Sequence, residues 1–355
     1  MIKIGILGLG RIAGHHVKAI LKNKKIKIVA ACDLNFIKRD SFSIKHRVKC
    51  YSHYDLMLRA HPEIDIVAIM SPSGMHFEHA LKILNKFRKH LIIEKPTTLR
   101  TSNLKKIFKT AEKLKRKIYP VYQNRNNKCV IKLKEEINRG KLGKIKIANL
   151  TLRWCRPQRY YNLAEWRGTF SHDGGAATQQ GVHYLDLLRY LAGDLKNVLC
   201  KMKTYGAQIE VEDTAIGIFD LNSGGVGSFE ITTSARPRDF EATISLIGSK
   251  GVAKIGGLAS NKLLEFSPEP KLCKKFSEKI SDAYGLGHYK IYNDVYLDYT
   301  NKKSYPLKKE DCIKTIQLLN SLYISSEKNK RVTINSCNDS VKLGRRNLKI
   351  SKIYK

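Results

Sequence analysis

The 355-residue chain lacks the features that define several classes of protein. It has no apolar run of about 18 or more residues, the length that a membrane-spanning helix needs. Its glycines are not periodic, which excludes a collagen, and its 42% apolar residues are too many for a disordered chain. At roughly 150 residues per domain, we expect two domains, each with a core of its own.

The chain also lacks clustered cysteines and the pattern of a signal peptide. Its cysteines are dispersed without a CxxC pair, so the sequence predicts no zinc site and no other metal site. The apolar N-terminus is interrupted by Arg11 and follows no basic region, as expected of a strand and turn. We therefore expect a cytoplasmic protein with reduced thiols and no membrane insertion. The eight cysteines are Cys32, Cys50, Cys129, Cys155, Cys200, Cys273, Cys312 and Cys337.

Negative charge is scarce, because 31 acidic residues face 66 basic ones and the formal net charge is +35. Such an excess is typical of nucleic-acid-binding proteins, in which Lys and Arg pair with phosphates. Here the lysines are spread over segments such as 22–28, 105–117 and 328–331, without a basic tail or an aromatic RNA-binding pattern. We interpret the charge as a solvated lysine-rich surface with no specific nucleic-acid partner. The alternative is that its summed field attracts anionic partners such as nucleotide-linked substrates.

The first third of the chain alternates strand and helix signals. Helical periodicity at about 11–22, 75–88 and 100–117 separates short aliphatic runs. This rhythm predicts an α/β fold, with a doubly wound parallel sheet of the Rossmann type in residues 1–122. The aliphatic runs are Ile2–Leu7, Ile26–Cys32, Ile64–Met70 and Leu91–Ile93.

The pattern changes beyond a strand that ends near residues 120–122. After a helix near 127–138, strand-length segments follow one another with few helices between them. Closely spaced strands favour an antiparallel or mixed sheet, so residues 123–355 are predicted to form a second α/β domain with a large open sheet. These segments lie near 144–156, 197–205, 214–221, 226–235 and 240–248.

A glycine-rich turn follows the first predicted strand. Gly8 and Gly10 permit a tight turn and close approach to a pyrophosphate, while Arg11 and Ile12 open the next helix and its amide donors. Asp33 ends the second strand, where a carboxylate can accept hydrogen bonds from ribose hydroxyls. A 2′-phosphate would meet that negative charge, so the pattern favours NAD over NADP.

Lys95 stands directly after another predicted strand, in Glu94-Lys95-Pro96. In an open α/β sheet this position faces the ligand crevice. The side chain could donate to a substrate hydroxyl or, with a lowered pKa, take its proton. The alternative is that Lys95 is one more surface lysine.

A second candidate acid or base is His183, on an apparent helix over residues 179–188. Spacings of four and three predict Gln179, His183 and Asp186 on one face of that helix. His183 could exchange a proton with a substrate while its neighbours orient it. The alternative is a core histidine satisfied by its surroundings.

In these motifs the chain resembles the Gfo/Idh/MocA family of oxidoreductases. The glycine turn, the segment 71–76 (SPSGMH), Glu94-Lys95-Pro96 and His183 match the family in order, and the resemblance spans essentially the whole chain. It implies a Rossmann domain, a second open-sheet α/β domain, NAD as cofactor and catalysis by Lys95 and His183. The cofactor-binding residues that it implies are Gly8, Gly10, Arg11, Ile12, Asp33, Ser71, Ser73, His76, Glu94, Lys95 and Gln123.

Longer segments resemble the WlbA/WbpB branch of that family, the UDP-N-acetyl-2-amino-2-deoxyglucuronate dehydrogenases. This likeness implies oxidation of the C3′ hydroxyl of UDP-N-acetylglucosaminuronate to a 3-keto sugar, in the biosynthesis of nucleotide sugars and surface polysaccharides. It also permits 2-oxoglutarate as a reoxidant of NADH and implies a homo-oligomer, a dimer or tetramer. The matching segments are 123–125, 153–161, 166–169, 235–237, 284–288 and 343–345.

A uronate and a diphosphate favour recognition by arginine, which forms paired, charge-assisted hydrogen bonds. Arg156, Arg167 and His288 are therefore expected to contact the substrate, together with Lys95, Gln179 and His183. The arginine-rich run 153–159 could instead be a half-buried strand whose arginines face solvent. Gln179 departs from the Asp or Asn of relatives, and its amide cannot act as a base.

Three alternatives stay open at this point. One is another sugar or inositol dehydrogenase of the same family. The second is an NAD-dependent glycosidase of the same fold, which oxidises C3 transiently and yields no net NADH. The third is a non-catalytic dinucleotide-fold protein whose basic surface binds nucleic acid, and intact Lys95 and His183 speak against it.

Overall fold

The computed structural model describes residues 1–280, 282, 284–336 and 339–354. Cys337 lies outside these residues. The other seven cysteines are free thiols, so no disulfide joins them. Within the described part of the chain, no helix is both long and apolar enough to cross a membrane.

The first sheet is parallel throughout and has the strand order β3-β2-β1-β4-β5-β6. Helices cover both of its faces, so central strands such as β4 are buried along their whole length. This is the predicted doubly wound sheet. Its strands are β1 (Ile2–Leu7), β2 (Ile26–Cys32), β3 (Lys49–Tyr51), β4 (Ile66–Ile69), β5 (His90–Ile93) and β6 (Ile118–Pro120). Its helices are α1 (Ala13–Leu21), α2 (Phe36–His46), α3 (Tyr54–Ala60), α4 (His76–Lys82) and α5 (Thr101–Lys113).

The second sheet has eight strands in the order β13-β12-β11-β7-β10-β9-β8-β14. Only β7 and β10 pair in parallel, and the other neighbours are antiparallel, as predicted for this part of the chain. Its strands are β7 (Ile145–Arg153), β8 (Leu195–Lys203), β9 (Thr214–Leu221), β10 (Val226–Thr232), β11 (Glu241–Gly248), β12 (Val252–Gly256), β13 (Lys262–Phe266) and β14 (Val332–Thr333).

Helices pack on one face of this second sheet and leave the other face open. Burial alternates along β9, where Ala215, Gly217 and Phe219 point into the core and Ile216 and Ile218 point outward. Such alternation is the mark of a sheet covered on one side. The helices of this half are α6 (Lys128–Asn138), α7 (Gln158–Tyr161), α8 (Ala176–Gln179), α9 (Val182–Ala192), α10 (Lys271–Phe276), α11 (Gly287–Tyr299), α12 (Lys309–Lys328) and α13 (Leu348–Ile353).

The predicted single helix over residues 179–188 is wrong, because α8 ends at Gln179 and α9 begins at Val182. Gly181 lies at the break, where an added Cβ would come within 2.8 Å of the carbonyl oxygen of Ala177. The two helices approach closely there, and glycine is also a poor residue for a helix interior. Gln179 and His183 therefore belong to different helices.

The division at residues 122 and 123 remains a prediction. Helix α11 comes late in the chain but packs against α1. Its Ile291, Tyr292 and Val295 belong to the same apolar core as the strands of the first sheet. The C-terminal half of the chain therefore contributes directly to the surroundings of the glycine turn.

Candidate active site

The glycine turn has the shape that a pyrophosphate needs. Gly8 has φ +97°, and a Cβ there would lie 2.7 Å from the carbonyl oxygen of Met70. Only glycine adopts that conformation without strain. Around Gly10 an added Cβ would meet nothing within 4 Å. The backbone and the first amides of α1, next to Arg11 and Ile12, therefore face open space that fits the diphosphate of NAD.

Asp33 lies beside this turn, directly after β2. One carboxylate oxygen accepts a hydrogen bond from the backbone N–H of Leu9 at 2.7 Å, and the other accepts from Asn35 at 2.9 Å. The side chain thus orders the glycine turn and stands where the second strand ends. Both observations fit the ribose position, although the hydrogen bond to ribose remains a prediction.

The segment after β4 is tied to the segment after β5 by His76. The ring is buried, and its two nitrogens lie 2.9 Å from the carbonyl oxygens of Pro96 and Ser71. Burial lowers the pKa of His76, although both carbonyls oppose that shift. His76 therefore holds the two loops together. Ser73 lies on the same loop, and its hydroxyl oxygen accepts a hydrogen bond from Gln179 at 2.8 Å.

Lys95 and Gln179 are in direct contact. The Lys95 ammonium donates to the backbone oxygen of Gln179 at 2.8 Å, and the Gln179 side-chain amide donates to Ser73 and to the backbone oxygen of Asp173 at 3.0 Å. Lys95 is half-buried at the end of β5. Burial lowers its pKa, and the carboxylates of Glu94 and Asp173 oppose that shift. A lysine in such surroundings is a candidate proton acceptor.

His183 lies in the first turn of α9. Its Nε2 is 3.5 Å from the side-chain nitrogen of Gln123, and its Nδ1 is buried without a hydrogen-bond partner among the described residues. Burial and the charge of Lys95 hold the pKa of His183 well below 6.5, so the imidazole is neutral. The structure thus brings the two predicted catalytic residues together.

Asp186 does not orient His183 as the sequence suggested. Its carboxylate forms a bidentate ion pair with Arg125, with distances of 2.6 and 2.7 Å, and accepts from the Thr315 hydroxyl at 2.8 Å. It is 1% exposed. The break between α8 and α9 takes Gln179 off the expected shared face, whereas His183 and Asp186 stay three residues apart on α9. Asp186 instead joins α9 to α12.

Glu94 is the centre of a buried network that the sequence did not predict. Its Oε1 accepts from His16 Nε2 at 2.7 Å and its Oε2 accepts from the backbone N–H of Lys95 at 3.0 Å. With Nε2 donating, His16 Nδ1 accepts from the Tyr292 hydroxyl at 2.7 Å. Burial favours a raised pKa for Glu94, but His16 and His288 hold it well below 4.5. The carboxylate therefore fixes the backbone of Lys95.

His288 lies next to this network, beside Glu94 and His16. Its Nε2 is 3.6 Å from Glu94 Oε1, which is longer than a hydrogen bond. Both ring nitrogens therefore lack a hydrogen-bond partner among the described residues. The ligand atoms of His16, Glu94 and His288 come within 4.8 Å of one another, a spacing that a metal ion could use. The 2.7 Å contact between His16 and Glu94 is that of a hydrogen bond. A substrate contact by His288 remains a prediction.

Arg156 and Arg167 both place a guanidinium group over the ring of Tyr160. The guanidinium of Arg167 stacks 4.4 Å from the centre of the Tyr160 ring and that of Arg156 lies 5.6 Å from it. Arg156 also donates to Asp239 at 3.0 Å, whereas the buried Nε of Arg167 has no partner among the described residues. Both positive charges act on Lys95. Both predicted arginines therefore lie near the candidate catalytic lysine.

Arg153, in the same arginine-rich run 153–159, has ion-pair partners on neighbouring strands. It pairs with Glu230 at 2.6 Å and with Glu241 at 3.1 Å, on neighbouring strands of the open sheet. Such cross-strand pairing is a structural use of an alternate strand position. Arg153 is therefore a half-buried strand residue whose guanidinium pairs with two glutamates instead of facing solvent.

Sequence reasoning also missed Asp173, a buried acid in the loop before α8. One of its oxygens accepts from the backbone N–H of Gly168 at 2.6 Å, and the other has no partner among the described residues. Burial raises its pKa to about 7, against the effects of Arg167 and Lys95. An aspartate before Gly174-Gly175 was the available signal, and it could not reveal the proximity to Lys95.

Comparison with known proteins gives matches over both halves of the chain. Residues 2–122 match the oxidoreductase family with the NAD-binding Rossmann fold, and residues 130–254 match the GFO/IDH/MocA C-terminal domain. A glucose-6-phosphate 3-dehydrogenase of Bacillus subtilis is 28% identical over 260 residues, which are 70% of this chain and 73% of that protein.

Two solved structures are similar over nearly the whole chain. The WlbA dehydrogenase of Bordetella pertussis, in complex with NADH and UDP-GlcNAcA, has a TM-score of 0.89 and 29% identity, covering 94% of this chain and 97% of that one. The WlbA dehydrogenase of Chromobacterium violaceum, in complex with the same two molecules, has a TM-score of 0.85 and 31% identity, covering 94% and 95%.

Proposed function

Since the chain belongs to the Gfo/Idh/MocA family and is an NAD-dependent dehydrogenase of sugars or polyols, we propose that its substrate is UDP-N-acetylglucosaminuronate. The reaction is oxidation of the C3′ hydroxyl to a ketone. One observation supports this choice above the others: 31% identity over 94% of the chain to a WlbA dehydrogenase that binds NADH and UDP-GlcNAcA. The glucose-6-phosphate relative is also a 3-dehydrogenase, which supports the same ring position.

In this proposal Lys95 takes the hydroxyl proton and His183 hydrogen-bonds to the same hydroxyl. NAD, when bound, supplies the acceptor for the hydride that leaves C3′. The proton must leave the oxygen as the carbon becomes carbonyl-like, so a positioned base is needed. A pKa held well below 6.5 makes His183 a weak base, whereas Lys95 retains a basic amine whose pKa burial has lowered.

The arginines beside Lys95 supply the proposed specificity for an anionic sugar. The unpartnered Nε of Arg167 and the two guanidinium groups over Tyr160 suit a carboxylate or phosphate, which accepts paired hydrogen bonds from guanidinium groups. The net charge of +35 adds long-range attraction for a substrate whose diphosphate and carboxylate are negatively charged. Gln179 contributes by holding Ser73 and Lys95.

The cofactor-binding set predicted from the sequence lies around the carboxyl ends of β1, β2, β4, β5 and, for Gln123, β6. We assign it to NAD on that placement and on the open space at Gly10. His76 and Glu94 act in this assignment by shaping the two loops, because their polar atoms are bonded within the protein.

A second copy of the chain is the proposed occupant of the open face of the second sheet. Outward-facing apolar residues are neighbours across strands there, as in the pairs Leu199 with Ile218 and Ile147 with Val226. An apolar face of this kind is typical of a homo-oligomer interface. The proposal is a dimer or tetramer, and a monomer at micromolar concentration in light scattering would contradict it.

A substrate panel tests the proposal. Purified protein and NAD are mixed with UDP-N-acetylglucosaminuronate, UDP-N-acetylglucosamine, glucose 6-phosphate or myo-inositol, and initial rates of NADH formation are compared. We expect the highest kcat/KM for the uronate. A higher value for glucose 6-phosphate or myo-inositol would assign another sugar or polyol of the family.

The glycosidase alternative has its own outcome in this experiment. It requires release of the group linked to the sugar and no net NADH. NAD binding without any product would instead favour the non-catalytic alternative, for which steeply salt-dependent binding to DNA or RNA is the further sign. A rate that depends on added 2-oxoglutarate would indicate that NADH is reoxidised in place.

A further inference from the structure

Asp173 is a buried acid that the proposed reaction does not use. It is 1% exposed, and its Oδ2 accepts from the backbone N–H of Gly168 at 2.6 Å. Its Oδ1 is buried and has no hydrogen-bond partner among the described residues. A buried carboxyl oxygen without a partner costs stability, so such a group calls for another explanation.

The backbone of Asp173 leads by two hydrogen bonds to Lys95. Its carbonyl oxygen accepts from the side-chain amide of Gln179 at 3.0 Å. The carbonyl oxygen of Gln179 in turn accepts from the Lys95 ammonium at 2.8 Å. The turn that the Asp173 carboxylate anchors therefore carries the acceptor that holds Lys95.

The carboxyl group also acts on Lys95 by its charge. Two carboxylates oppose the lowering of the Lys95 pKa by burial, those of Glu94 and Asp173. Both oxygens of Glu94 are hydrogen-bonded, to His16 and to the backbone of Lys95. Asp173 keeps one oxygen free. The Asp173 carboxylate therefore acts on Lys95 by its charge while accepting a hydrogen bond from Gly168.

We infer that Asp173 is a positioning residue that acts through Lys95. Its carboxyl group sets the fraction of Lys95 that is present as the neutral amine, and its turn holds Lys95 against Gln179. This inference rests on the proposed role of Lys95 as proton acceptor. Asp173 also places an ionisable acid near the site, a role that the amide of Gln179 cannot serve.

Other charged and titratable groups share this surrounding. Burial raises the pKa of Asp173 to about 7, so its charge changes near neutral pH, and its titration is coupled to that of Lys95. As pH rises through that range, the carboxylate forms and favours the ammonium form of Lys95. The groups that act on Lys95 or Asp173 are Glu94, Arg156, Arg167, His76, His183, Glu212, Tyr160 and Tyr161.

The test measures the reactivity of Lys95 itself, without NAD or sugar. The full-length protein is treated briefly with acetic anhydride at a series of pH values, and acetylation of Lys95 is followed by peptide-resolved mass spectrometry, with surface lysines as reference. Asp173→Asn removes the carboxylate, so Lys95 should react about threefold faster or more near pH 9. The difference should shrink towards about pH 6, where Asp173 in the unmodified protein is protonated.

Glu212→Gln is the matched control. Glu212 is a second buried acid near this turn, where it accepts from the backbone N–H of Ala177 at 3.1 Å, and it is not among the charges that act most strongly on Lys95. Unchanged Lys95 reactivity in Glu212→Gln, together with the increase in Asp173→Asn, supports the inference. Asp173→Glu, which restores the charge, should return the reactivity towards that of the unmodified protein.

Two outcomes overturn the inference: unchanged reactivity in Asp173→Asn, or an equal increase in Glu212→Gln, which would mean general loosening of the turn. If Asp173→Asn does not fold, Asp173→Ser removes the same charge and keeps an acceptor for Gly168. Because the readout needs no substrate, it stands even if the sugar assignment fails. In the active enzyme, Asp173→Asn should move the acidic limb of the kcat profile to lower pH with little change in KM.

Discussion

Replacing Glu212 by glutamine should make the protein less sensitive to alkaline pH. Glu212 is 4% exposed, and its Oε1 accepts from the Tyr323 hydroxyl at 2.9 Å while its Oε2 has no partner among the described residues. Burial raises its pKa from 4.5 to about 8. The carboxyl is therefore protonated in the folded protein at pH 6 to 7, whereas it is ionised in the unfolded chain.

The direction and magnitude of this pH dependence of the free energy of unfolding follow from proton linkage. An acid whose folded-state pKa is raised binds more protons folded than unfolded, so its favourable contribution is complete below about pH 4.5 and is lost as pH rises to about 8. Each pH unit well inside this window costs about 1.4 kcal/mol. Because half of the Glu212 carboxyl is still protonated at pH 8, Glu212 should weaken folding by about 2 kcal/mol between pH 6 and pH 8. A glutamine has no such dependence and keeps an acceptor for Tyr323.

The assay is urea unfolding at several pH values, followed by the fluorescence of Trp154 and Trp166, both in the same half of the chain as Glu212. The free energy of unfolding of Glu212→Gln relative to the unmodified protein should rise with pH over this window. A difference that stays constant from pH 5.5 to pH 9 would mean that Glu212 does not titrate there, and would refute the reasoning from burial.

Three further predictions concern the site. Lys95→Ala should retain NAD binding in calorimetry but lose at least about a hundredfold in turnover, and undiminished turnover would assign the proton transfer elsewhere. Asp33→Ala should weaken NAD binding and relax discrimination against NADP, and an unchanged ratio of the two affinities would argue against the ribose assignment. Tyr292→Phe leaves the buried Nδ1 of His16 without its 2.7 Å partner and should lower the free energy of unfolding by about 1 to 3 kcal/mol in urea, whereas an unchanged value would mean that the His16–Glu94 network does not depend on that hydroxyl.

Much of the site could be predicted because its residues follow the ends of strands in a regular alternation of strands and helices. Gly8, Asp33 and Lys95 each stand directly after a buried aliphatic run, and in a parallel sheet such positions meet at one edge. The five strands predicted in the second half correspond to β7 to β11, with ends that differ by a few residues. Local pattern was sufficient for these features.

Other features depend on contacts or burial that local pattern does not encode. Helix α2 has no buried residue, so its sequence lacks the repeat of buried apolar residues that would predict a helix. The bond between His16 and Tyr292 joins residues 276 positions apart, and that between Arg125 and Asp186 joins residues 61 apart. A single sequence carries no signal for such pairs. The break at Gly181 was missed because the helical spacing continues across it.

The most direct test of the central claim is the identity of the sugar product. The substrate is UDP-N-acetylglucosaminuronate that carries deuterium at C3′. The protein is incubated with this substrate and NAD, with and without 2-oxoglutarate, and the nucleotide sugar is then analysed by mass spectrometry. We expect the sugar to lose its C3′ hydroxyl hydrogen and its C3′ deuterium, with the deuterium recovered in the reduced cofactor or, when 2-oxoglutarate is present, in the reduced product of 2-oxoglutarate. An unchanged sugar in both mixtures, from protein that binds NAD, would contradict the assignment of this substrate.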